Sequence, residues 1–413
     1  MILVTDGEER SALAVVRSLG RAGYEVGVCS ARKDPLAGAS RHCRVTFRTP
    51  DPGADPAAFA DAVESLAESQ GAELVIPMTD VTAPLLLALR ERRPEIPMPF
   101  PSLAKYREMS DKARLTEIAA RLGVPVPRQI VISDPRQNTR ESVRAVAEAE
   151  LGWPLILKPA RSAALVGGGV RKLSVSTVSG PDALAAGLTA CPAEAYPLLL
   201  QRRIVGPGLG VFVLGDSRGQ PLASFAHRRI REKPPTGGVS VYRESVPVRD
   251  DLRRYSELIT THLGWHGALM LEFKEDASTG TPYLMEANAR FWGSLQLAID
   301  SGVDFPRLLV ESALGGEVEP VHEYRTGVRS RWLWGDFDHL LWVLRAPAST
   351  RRQYPSLPGR MGALARFLLP WWPGDRYEVL RWSDPRPFLR ESVQWIESLG
   401  SGRRDRHSSK CRA

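Results

Sequence analysis

The chain lacks the sequence motifs of several common protein classes. Its four cysteines, at positions 29, 43, 191 and 411, are irregularly spaced, and none belongs to a Cys-x-x-Cys pair. This spacing excludes a sequence-readable zinc or redox motif and is typical of a reducing compartment. The turn after the first apolar run, residues 5–7, has no GxGxxG pattern, and the glycines at 167–169 do not fit GxxxxGK[ST]. A nicotinamide dehydrogenase and a P-loop NTPase therefore lose their sequence support.

Long hydrophobic runs are also missing. No stretch reaches the roughly 18 uncharged apolar residues that a membrane-spanning helix requires, so we expect no transmembrane segment. Asp6, Glu8 and Glu9 interrupt the N-terminus before any apolar run long enough for a signal peptide. These observations predict a cytoplasmic protein.

Composition and charge favour a folded protein without a nucleic-acid surface. Of the 413 residues, 43% are hydrophobic and 25% are charged, which is ordinary for a globular chain. The formal net charge is +8, and residues 401–413 alone carry five Lys or Arg and one Asp. A nucleic-acid-binding protein should instead show a basic stripe on a folded face. We therefore predict no nucleic-acid partner and a solvated, frayed C-terminal end.

The hydrophobic pattern predicts alternating strands and helices at the N-terminus. Short apolar runs at 2–4, 24–29 and 74–78 alternate with helical spacing at 11–19 and 59–67. This order indicates a parallel sheet covered by helices. Further along, the spacing predicts a helix over 111–122, capped by Ser110, and another over 142–151.

Changes in composition and in the predicted secondary structure divide the chain into four predicted regions. Four prolines in the eight residues 94–101 mark the end of an N-terminal α/β domain, placed at 1–101. Mixed helix and strand occupy 102–197, and mostly strands occupy 198–318. The last region, 319–413, contains seven of the ten tryptophans. These are expected to form a small core, while contact of the apolar segment 361–374 with a membrane surface stays open.

A glycine-rich loop follows a strand that ends near a lysine. The strand 154–159 carries Lys158, and the glycines that follow are Gly167, Gly168 and Gly169. Consecutive glycines let the backbone approach a ligand closely, and a lysine beside such a loop can pair with phosphate oxygens. A flexible hairpin without a ligand is the alternative for this segment taken alone.

Two acidic residues are expected to face each other on a hairpin. The segments 267–274 and 282–290 read as strands, and a hairpin centred on Thr279 places Glu272 opposite Glu286. Opposed carboxylates repel each other, and Mg²⁺ relieves that repulsion. On the same face as Glu286, Asn288 can add an amide oxygen and Arg290 can hold charge that develops on phosphate. The alternative is a hairpin on the protein surface. The apolar residues on either side of the two acids argue against it.

A basic strand lies in the same region. On an extended segment over 225–233, the side chains of His227, Arg229 and Arg231 share one face, and the loop 233–238 follows. A cationic face beside a metal and phosphate site would bind an anionic substrate or the γ-phosphate, with Arg229 as the best candidate. The alternative is a solvated basic edge strand.

The order of these segments resembles the ATP-grasp superfamily, which includes biotin carboxylase, carbamoyl phosphate synthetase and D-alanine–D-alanine ligase. The resemblance covers about residues 103–318 and is carried by SDK at 110–112, LKP at 157–159, LLLQRRIVGPG at 198–208, LEF at 271–273 and EANAR at 286–290. It is closest to the carboxylate–amine ligase-like members. It implies a fold of mixed α/β and α+β class: an N-terminal parallel-sheet domain, a two-lobed ATP-grasp fold and a small C-terminal region.

The resemblance also implies roles for individual residues. The ATP phosphates would contact Lys112 and Lys158, the latter also near the adenine, and the loop 167–169 would cover them. The adenine edge would meet a hinge made of Gln201, Arg202, Arg203 and Ile204. One Mg²⁺ would bind Glu272 and Glu286 and a second Glu286 and Asn288, with Mn²⁺ as an alternative ion. The catalytic residues would be Arg290 and Arg229.

Two departures from the family pattern leave a second interpretation open. The hinge reads Gln201-Arg202 where Gln-Glu is common, and no acid that could hold the ribose follows at Leu209 or Gly210. A non-catalytic or regulatory ATP-binding module is therefore the alternative to an enzyme.

The reaction implied by the resemblance is an ATP-dependent ligation. A carboxylic acid becomes an acyl phosphate, an amine then attacks it, and ADP and phosphate are released. The expected partners are thus a small acid and a small amine, and a homodimer stays open. Asp80 follows the strand 74–78, where it could hold a substrate amine or cap the next helix.

Overall fold

The structure is a computed structural model that describes residues 1–134, 144, 147–354, 357–368 and 374–400. The predicted frayed end at 401–413 lies outside the described residues, as do residues 369–373 of the apolar segment. Of the helix predicted over 142–151, the described part is residue 144 and a π-helical turn at Ala147–Leu151.

A four-stranded parallel sheet forms the N-terminal part, as predicted. Its strands lie in the order β3-β2-β1-β4. They are β1 Ile2–Val4, β2 Val26–Ser30, β3 Val45–Arg48 and β4 Leu74–Ile76. The helices on this sheet are α1 Arg10–Arg21, α2 Pro56–Ser69 and α3 Thr82–Arg92. All residues of β1, β2 and β4 are buried, as expected for strands covered on both faces.

Two short helices lead from this sheet to the rest of the chain. They are α4 Leu103–Ser110 and α5 Lys112–Arg121. The predicted cap at Ser110 is wrong, because Ser110 ends α4 and the Asp111 side chain accepts hydrogen bonds from the amides of Ala113 and Arg114. A carboxylate in this position satisfies two of the free amides of the helix start.

An antiparallel sheet in the order β5-β10-β6-β9 forms a small lobe. Its strands are β5 Gln129–Ile132, β6 Leu155–Pro159, β9 Ser176–Val178 and β10 Leu198–Arg202, and between them lie the hairpin β7 Ala163–Val166 and β8 Gly169–Lys172 and the helix α6 Pro181–Ala190. The lobe has a hydrophobic core of its own, which includes Leu157 and Leu200.

A seven-stranded sheet forms the large lobe, in the order β15-β14-β11-β12-β13-β16-β17. Its first five strands along the chain are β11 Gly208–Gly215, β12 Pro221–Lys233, β13 Val239–Val246, β14 Gly267–Glu275 and β15 Pro282–Asn288. The helices of this part are α7 Asp250–Leu263, α8 Leu295–Ser301 and α9 Phe305–Ala313. Its core is continuous with that of the N-terminal sheet.

The C-terminal part adds the last two strands to the same sheet. It comprises β16 Arg329–Arg331, α10 Leu333–Arg345, α11 Ala348–Gln353, α12 Arg360–Leu368, β17 Arg376–Tyr377 and α13 Arg386–Gly400. The expected aromatic core includes Trp334 and Trp395, which stack with ring centroids 4.3 Å apart. A buried ion pair between Arg17 and Asp384, 2.8 Å long, ties this part to α1. The four predicted region boundaries stay a prediction.

No helix in the described part of the chain combines the length and apolar character that crossing a bilayer requires.

Candidate active site between the two lobes

The β14–β15 hairpin places Glu272 directly opposite Glu286, the register that the sequence predicts. Nearer the turn, however, Phe273 pairs with Leu284, so that Met285 is an extra residue in β15. This β-bulge shifts the register by one residue, and without it Met285 would stand opposite Glu272. The bulge therefore brings the two carboxylates onto one face.

Three cationic side chains surround this carboxylate pair. Glu272 forms an ion pair with Arg229 from β12, and Glu286 forms one with Lys112 at 3.3 Å. Lys158 Nζ donates to the carbonyl oxygen of Met285 at 3.1 Å, so the bulge also supplies a contact between the lobes. The predicted phosphate lysines and the predicted metal carboxylates thus meet at one place.

The local charges shift the ionisation of this cluster in opposite directions. Burial and the neighbouring carboxylate raise the pKa of Glu272, even though Arg229 opposes the shift. Burial also acts to raise the pKa of Glu286, but Lys112 and Lys158 outweigh it and hold that pKa below its ordinary value. Burial lowers the pKa of Lys158 to about 8. A partly buried pair of acids with unequal environments is typical of functional sites.

The donor set fits an ion that is completed by a nucleotide. Among the described residues, no group of three or more His, Cys, Asp or Glu side chains could hold a metal ion. Mg²⁺ commonly binds through one or two carboxylates together with substrate phosphates, which Glu272 and Glu286 match. Asn288 lies on the same strand, and its Oδ1 accepts a hydrogen bond from Arg290 at 3.1 Å.

Arg290 and Asp80 join the large lobe to the N-terminal sheet. The guanidinium donates to both carboxylate oxygens of Asp80, at 2.9 and 2.8 Å. Burial would raise the pKa of Asp80, but Arg290 holds it below its ordinary value. Asp80 does not cap α3, whose N-cap residue is Val81. The carboxylate instead fixes the predicted catalytic arginine in a bidentate geometry.

Asp6, which was not predicted as a site residue, holds the loop that carries Asp80 in place through hydrogen bonds. It follows β1 with a φ of 55°, in the left-handed region that non-glycine residues rarely adopt. Its carboxylate accepts hydrogen bonds from Thr82 Oγ1 at 2.6 Å, Thr79 Oγ1 at 3.1 Å and the Met78 amide at 3.1 Å. The loop that carries Asp80 is therefore tied to β1. The signal in the sequence is an acid at the carboxyl end of a parallel strand.

The glycine-rich loop is the turn of the β7–β8 hairpin, and it contacts the N-terminal domain. Gly167 and Gly168 form the turn with φ values of 60° and 83°, which favour glycine. Gly169 begins β8, where a Cβ would lie 2.6 Å from the carbonyl oxygen of Gly53. The adjacent Val170 amide donates to that same carbonyl at 2.8 Å. Glycine at 169 is thus required for this close approach.

The predicted adenine hinge presents few side chains to a nucleotide. Gln201 is fully buried and donates to Gln129 Oε1 at 2.9 Å, inside the small lobe. Arg203 stacks on the ring of Tyr354 at 4.8 Å, and Ile204 is buried. Arg202 is exposed at the end of β10. Any contact of this segment with adenine therefore depends on its backbone.

The arginines of the basic strand β12 pair with acids in two different places. A register shift between Arg229 and Arg231 leaves Ile230 as an extra residue. As a result Arg229 reaches Glu272, whereas Arg231 donates to both carboxylate oxygens of Asp336, at 2.6 and 2.7 Å. The three side chains predicted to share one face are therefore not equivalent. His227 is buried, and burial holds its pKa well below the ordinary value, so the ring is neutral.

The structure brings most of the predicted site residues together and leaves a few apart. Direct contacts join the members of one cluster, which are Lys112, Lys158, Arg229, Glu272 and Glu286, and a second linked group, Asn288 and Arg290. The glycine-rich turn and the hinge lie outside these contacts. The roles of all these residues in binding and catalysis stay predictions.

Comparison with known proteins gives one family and a set of similar folds. A family model described as ATP-grasp in the biosynthetic pathway with Ter operon matches residues 194–335. Comparison with curated protein sequences gives no match.

Three solved structures illustrate the likeness of fold. A biotin carboxylase β,γ-ATP complex from Campylobacter jejuni has a TM-score of 0.63 at 19% identity, covering 79% of this chain and 74% of that one. The biotin carboxylase domain of Hydrogenobacter thermophilus 2-oxoglutarate carboxylase, with MgADP, ADP and bicarbonate, gives 0.62 at 19%, covering 79% and 73%. N5-carboxyaminoimidazole synthetase from Staphylococcus aureus, with ADP, gives 0.61 at 13%, covering 79% and 80%. The predicted fold class is confirmed.

Proposed function

We propose that this chain is an ATP-grasp ligase, which uses ATP to join a carboxylic acid to an amine; the family-model match over residues 194–335 and the likeness in fold to biotin carboxylases support the proposal. The observation that carries the proposal is the pair Glu272 and Glu286, opposed on one face and surrounded by Lys112, Lys158 and Arg229. Two acids and three cations at one point between two lobes suit a metal-bound triphosphate.

The ion pairs of the site supply the donors for a nucleotide. Glu272, Glu286 and Asn288 would hold Mg²⁺, which neutralises triphosphate charge when it is bound. Once the carboxylates are engaged in this way, Arg229 and Lys112 are free to donate to phosphate oxygens. The MgADP complex of the Hydrogenobacter domain supports the use of Mg²⁺. Two ions, with Mn²⁺ as an alternative, belong to the proposal.

The reaction proceeds in two displacements. An oxygen of the substrate carboxylate forms a bond to the γ-phosphorus, and the bond from that phosphorus to ADP breaks. The amine nitrogen then forms a bond to the acyl carbon, inorganic phosphate leaves, and the nitrogen loses a proton. Arg290, fixed by Asp80, orients and stabilises the charged phosphate oxygens.

Exclusion of water protects the acyl phosphate. The β7–β8 hairpin of the small lobe contacts Gly53 of the N-terminal domain through the Val170 amide, and we assign it the role of the closing loop. Closure of such a loop keeps water from the reactive intermediate.

The setting of the reaction is part of the same proposal. We place the enzyme in the cytoplasm, with a small acid and a small amine as its partners. A homodimer is included in the proposal, and the dimer of the Hydrogenobacter biotin carboxylase domain supports it.

The proposal is tested by Mg-ATP-dependent release of ADP and phosphate with a panel of acids and amines. Glu286→Gln should lower turnover at least about a hundredfold, because a metal ion contributes several kcal/mol of charge stabilisation. Glu257→Gln, at an exposed position of α7, is the matched control and should leave turnover unchanged. Full activity of Glu286→Gln would remove the metal assignment.

A second candidate is a regulatory ATP-binding module. It is favoured by the hinge, where the Gln201 side chain is buried and its amide nitrogen donates to Gln129 inside the small lobe. Calorimetry that shows Mg-ATP binding, combined with no turnover over the whole panel, would favour this module over the ligase.

A further inference from the structure

A cavity of about 280 Å³ lies between β12 and the C-terminal helices. One wall is formed by residues 229–232 of β12 and the loop 206–208. The opposite wall is formed by side chains of α10 and α12, and these include Leu340, Ala363 and Phe367. The ATP-grasp family model matches the chain only as far as residue 335. Most of α10 and all of α12 lie beyond that point. The helical wall of the cavity therefore lies mostly outside the matched part of the chain, whereas the β12 wall lies inside it.

Arg229 connects this cavity to the carboxylate pair. It lines the cavity, and its Nη2 donates to Glu272, whereas its Nη1 donates to Glu232 at 3.2 Å and to the Gly238 carbonyl at 3.3 Å. A carboxylate held at the cavity end of Arg229 would therefore lie beside the site proposed for the triphosphate. This is the position that an acid needs for attack on phosphorus.

The charged side chains that line the cavity are three arginines, Arg229, Arg231 and Arg366, and two acids, Glu232 and Asp336, so the lining holds one more positive than negative charge. Arg231 and Asp336 neutralise each other in a bidentate pair. His339 is bonded through Nδ1 to the Glu232 carbonyl at 2.6 Å, and burial lowers its pKa, so it is neutral. The Arg366 side chain is exposed at the edge of the cavity, and within the described residues no acidic group pairs with it. This excess charge favours a carboxylate and disfavours an ammonium group.

The rest of the lining is apolar. Ile230 contributes hydrocarbon surface on the β12 wall, and Leu340 and Phe367 contribute apolar surface on the helical wall. A ligand that fills both parts needs an anionic group at one end and an apolar body at the other. The volume is close to the lower end of the range for small-molecule sites, roughly 300 Å³, so the ligand is small.

We infer that this cavity binds the acid substrate of the ligation: a small monocarboxylic acid with an apolar tail, its carboxylate at Arg229 and its tail against Leu340 and Phe367. The inference rests on the proposed ligase function and adds the chemical class of the acid and the place where it binds. It also assigns α10 and α12 as the walls that select the substrate.

The test uses calorimetry on the full chain in the presence of Mg²⁺ and a non-hydrolysable ATP analogue. The probes are 3-phenylpropanoate and 4-methylpentanoate, compared with acetate, which has no tail, and succinate, which has a second charge. We expect the two tailed acids to bind at least tenfold more tightly than acetate or succinate. Equal binding of all four acids, or no binding of the tailed pair, would overturn the inference.

Variants of α12 locate the binding site. Ala363 faces the cavity and Ala365 faces solvent on the same helix, so Ala363→Phe and Ala365→Phe form a matched pair. Ala363→Phe should weaken binding of 3-phenylpropanoate at least tenfold, with the Kd for the nucleotide analogue unchanged, and Ala365→Phe should leave both unchanged. If Ala363→Phe does not fold, the smaller Ala363→Leu takes its place. Equal affinities of the two variants for 3-phenylpropanoate would show that the acid binds elsewhere. If the wild-type chain does not bind the nucleotide analogue, the proposed function itself is refuted.

Discussion

The low pKa of Lys158 makes nucleotide binding depend on pH in a specific way. The ammonium group is buried and donates a hydrogen bond to the Met285 carbonyl, and burial lowers its pKa from 10.5 to about 8. Phosphate oxygens favour the charged form. Binding of Mg-ATP should therefore raise the pKa of Lys158 and draw a proton from solvent.

The magnitude follows from that pKa. At pH 8 about half of the Lys158 side chains are neutral in the free protein, so that binding takes up about half a proton per nucleotide. Below pH 7 the group is already charged and the uptake disappears. Above pH 8 the affinity for Mg-ATP should fall about tenfold for each pH unit. A full return to 10.5 corresponds to about 3 kcal/mol of coupling between the phosphate and the proton.

The assay is calorimetric titration with Mg-ATP at pH 8 in two buffers whose ionisation enthalpies differ. The slope of the observed enthalpy against buffer enthalpy gives the protons taken up. Lys158→Arg should abolish the uptake, because a guanidinium stays charged over this range. Lys33→Arg, which changes an exposed lysine, is the control and should retain it.

Two results would refute this reasoning. One is proton uptake in Lys158→Arg equal to that of the wild-type chain. The other is a wild-type affinity that stays constant between pH 7 and pH 9.5, a measurement that remains informative if Lys158→Arg fails to bind nucleotide.

Two further substitutions test the links between the parts of the molecule. Arg290→Lys removes the bidentate contact with Asp80, so kcat should fall about a hundredfold with little change in the Kd for Mg-ATP; an unchanged kcat would contradict the proposed role. Arg17→Leu leaves the Asp384 carboxylate buried without its guanidinium, so the free energy of unfolding, measured with urea, should fall by about 3–5 kcal/mol. A loss below about 1 kcal/mol would show that the Asp384 carboxylate finds other partners in the variant.

The local features of the site were predictable because short-range patterns determine them. Alternation along two strands and the position of the turn are enough to place Glu272 opposite Glu286. The prediction reached the right register although the bulge at Met285 was not foreseen. The midpoint of the whole hairpin, Thr279, already includes the extra residue. The N-terminal parallel sheet was likewise predictable from its repeated strand–helix spacing.

The long-range contacts were not predictable from one sequence. Asp80 and Arg290 are 210 positions apart, and nothing local indicates that an acid after one strand pairs with an arginine that follows a strand of another sheet. The register shift in β12 is also invisible in the sequence, because Arg229, Ile230 and Arg231 continue an ordinary strand pattern. The cavity at α10 and α12 depends on how these helices pack on that strand. Such contacts are set by tertiary packing, which local propensity does not encode.

The separate hydrophobic core of the small lobe has a consequence for how a nucleotide enters. The N-terminal sheet and the large lobe share one core, so parting them would expose apolar surface to water, whereas a tilt of the small lobe would leave both hydrophobic cores closed. The hydrogen bond from Lys158 to the Met285 carbonyl joins the small lobe to the large lobe and would break in such a tilt. Such a tilt would also separate Lys158 from the two carboxylates, so the complete charge cluster would exist only while the small lobe lies against the β14–β15 hairpin.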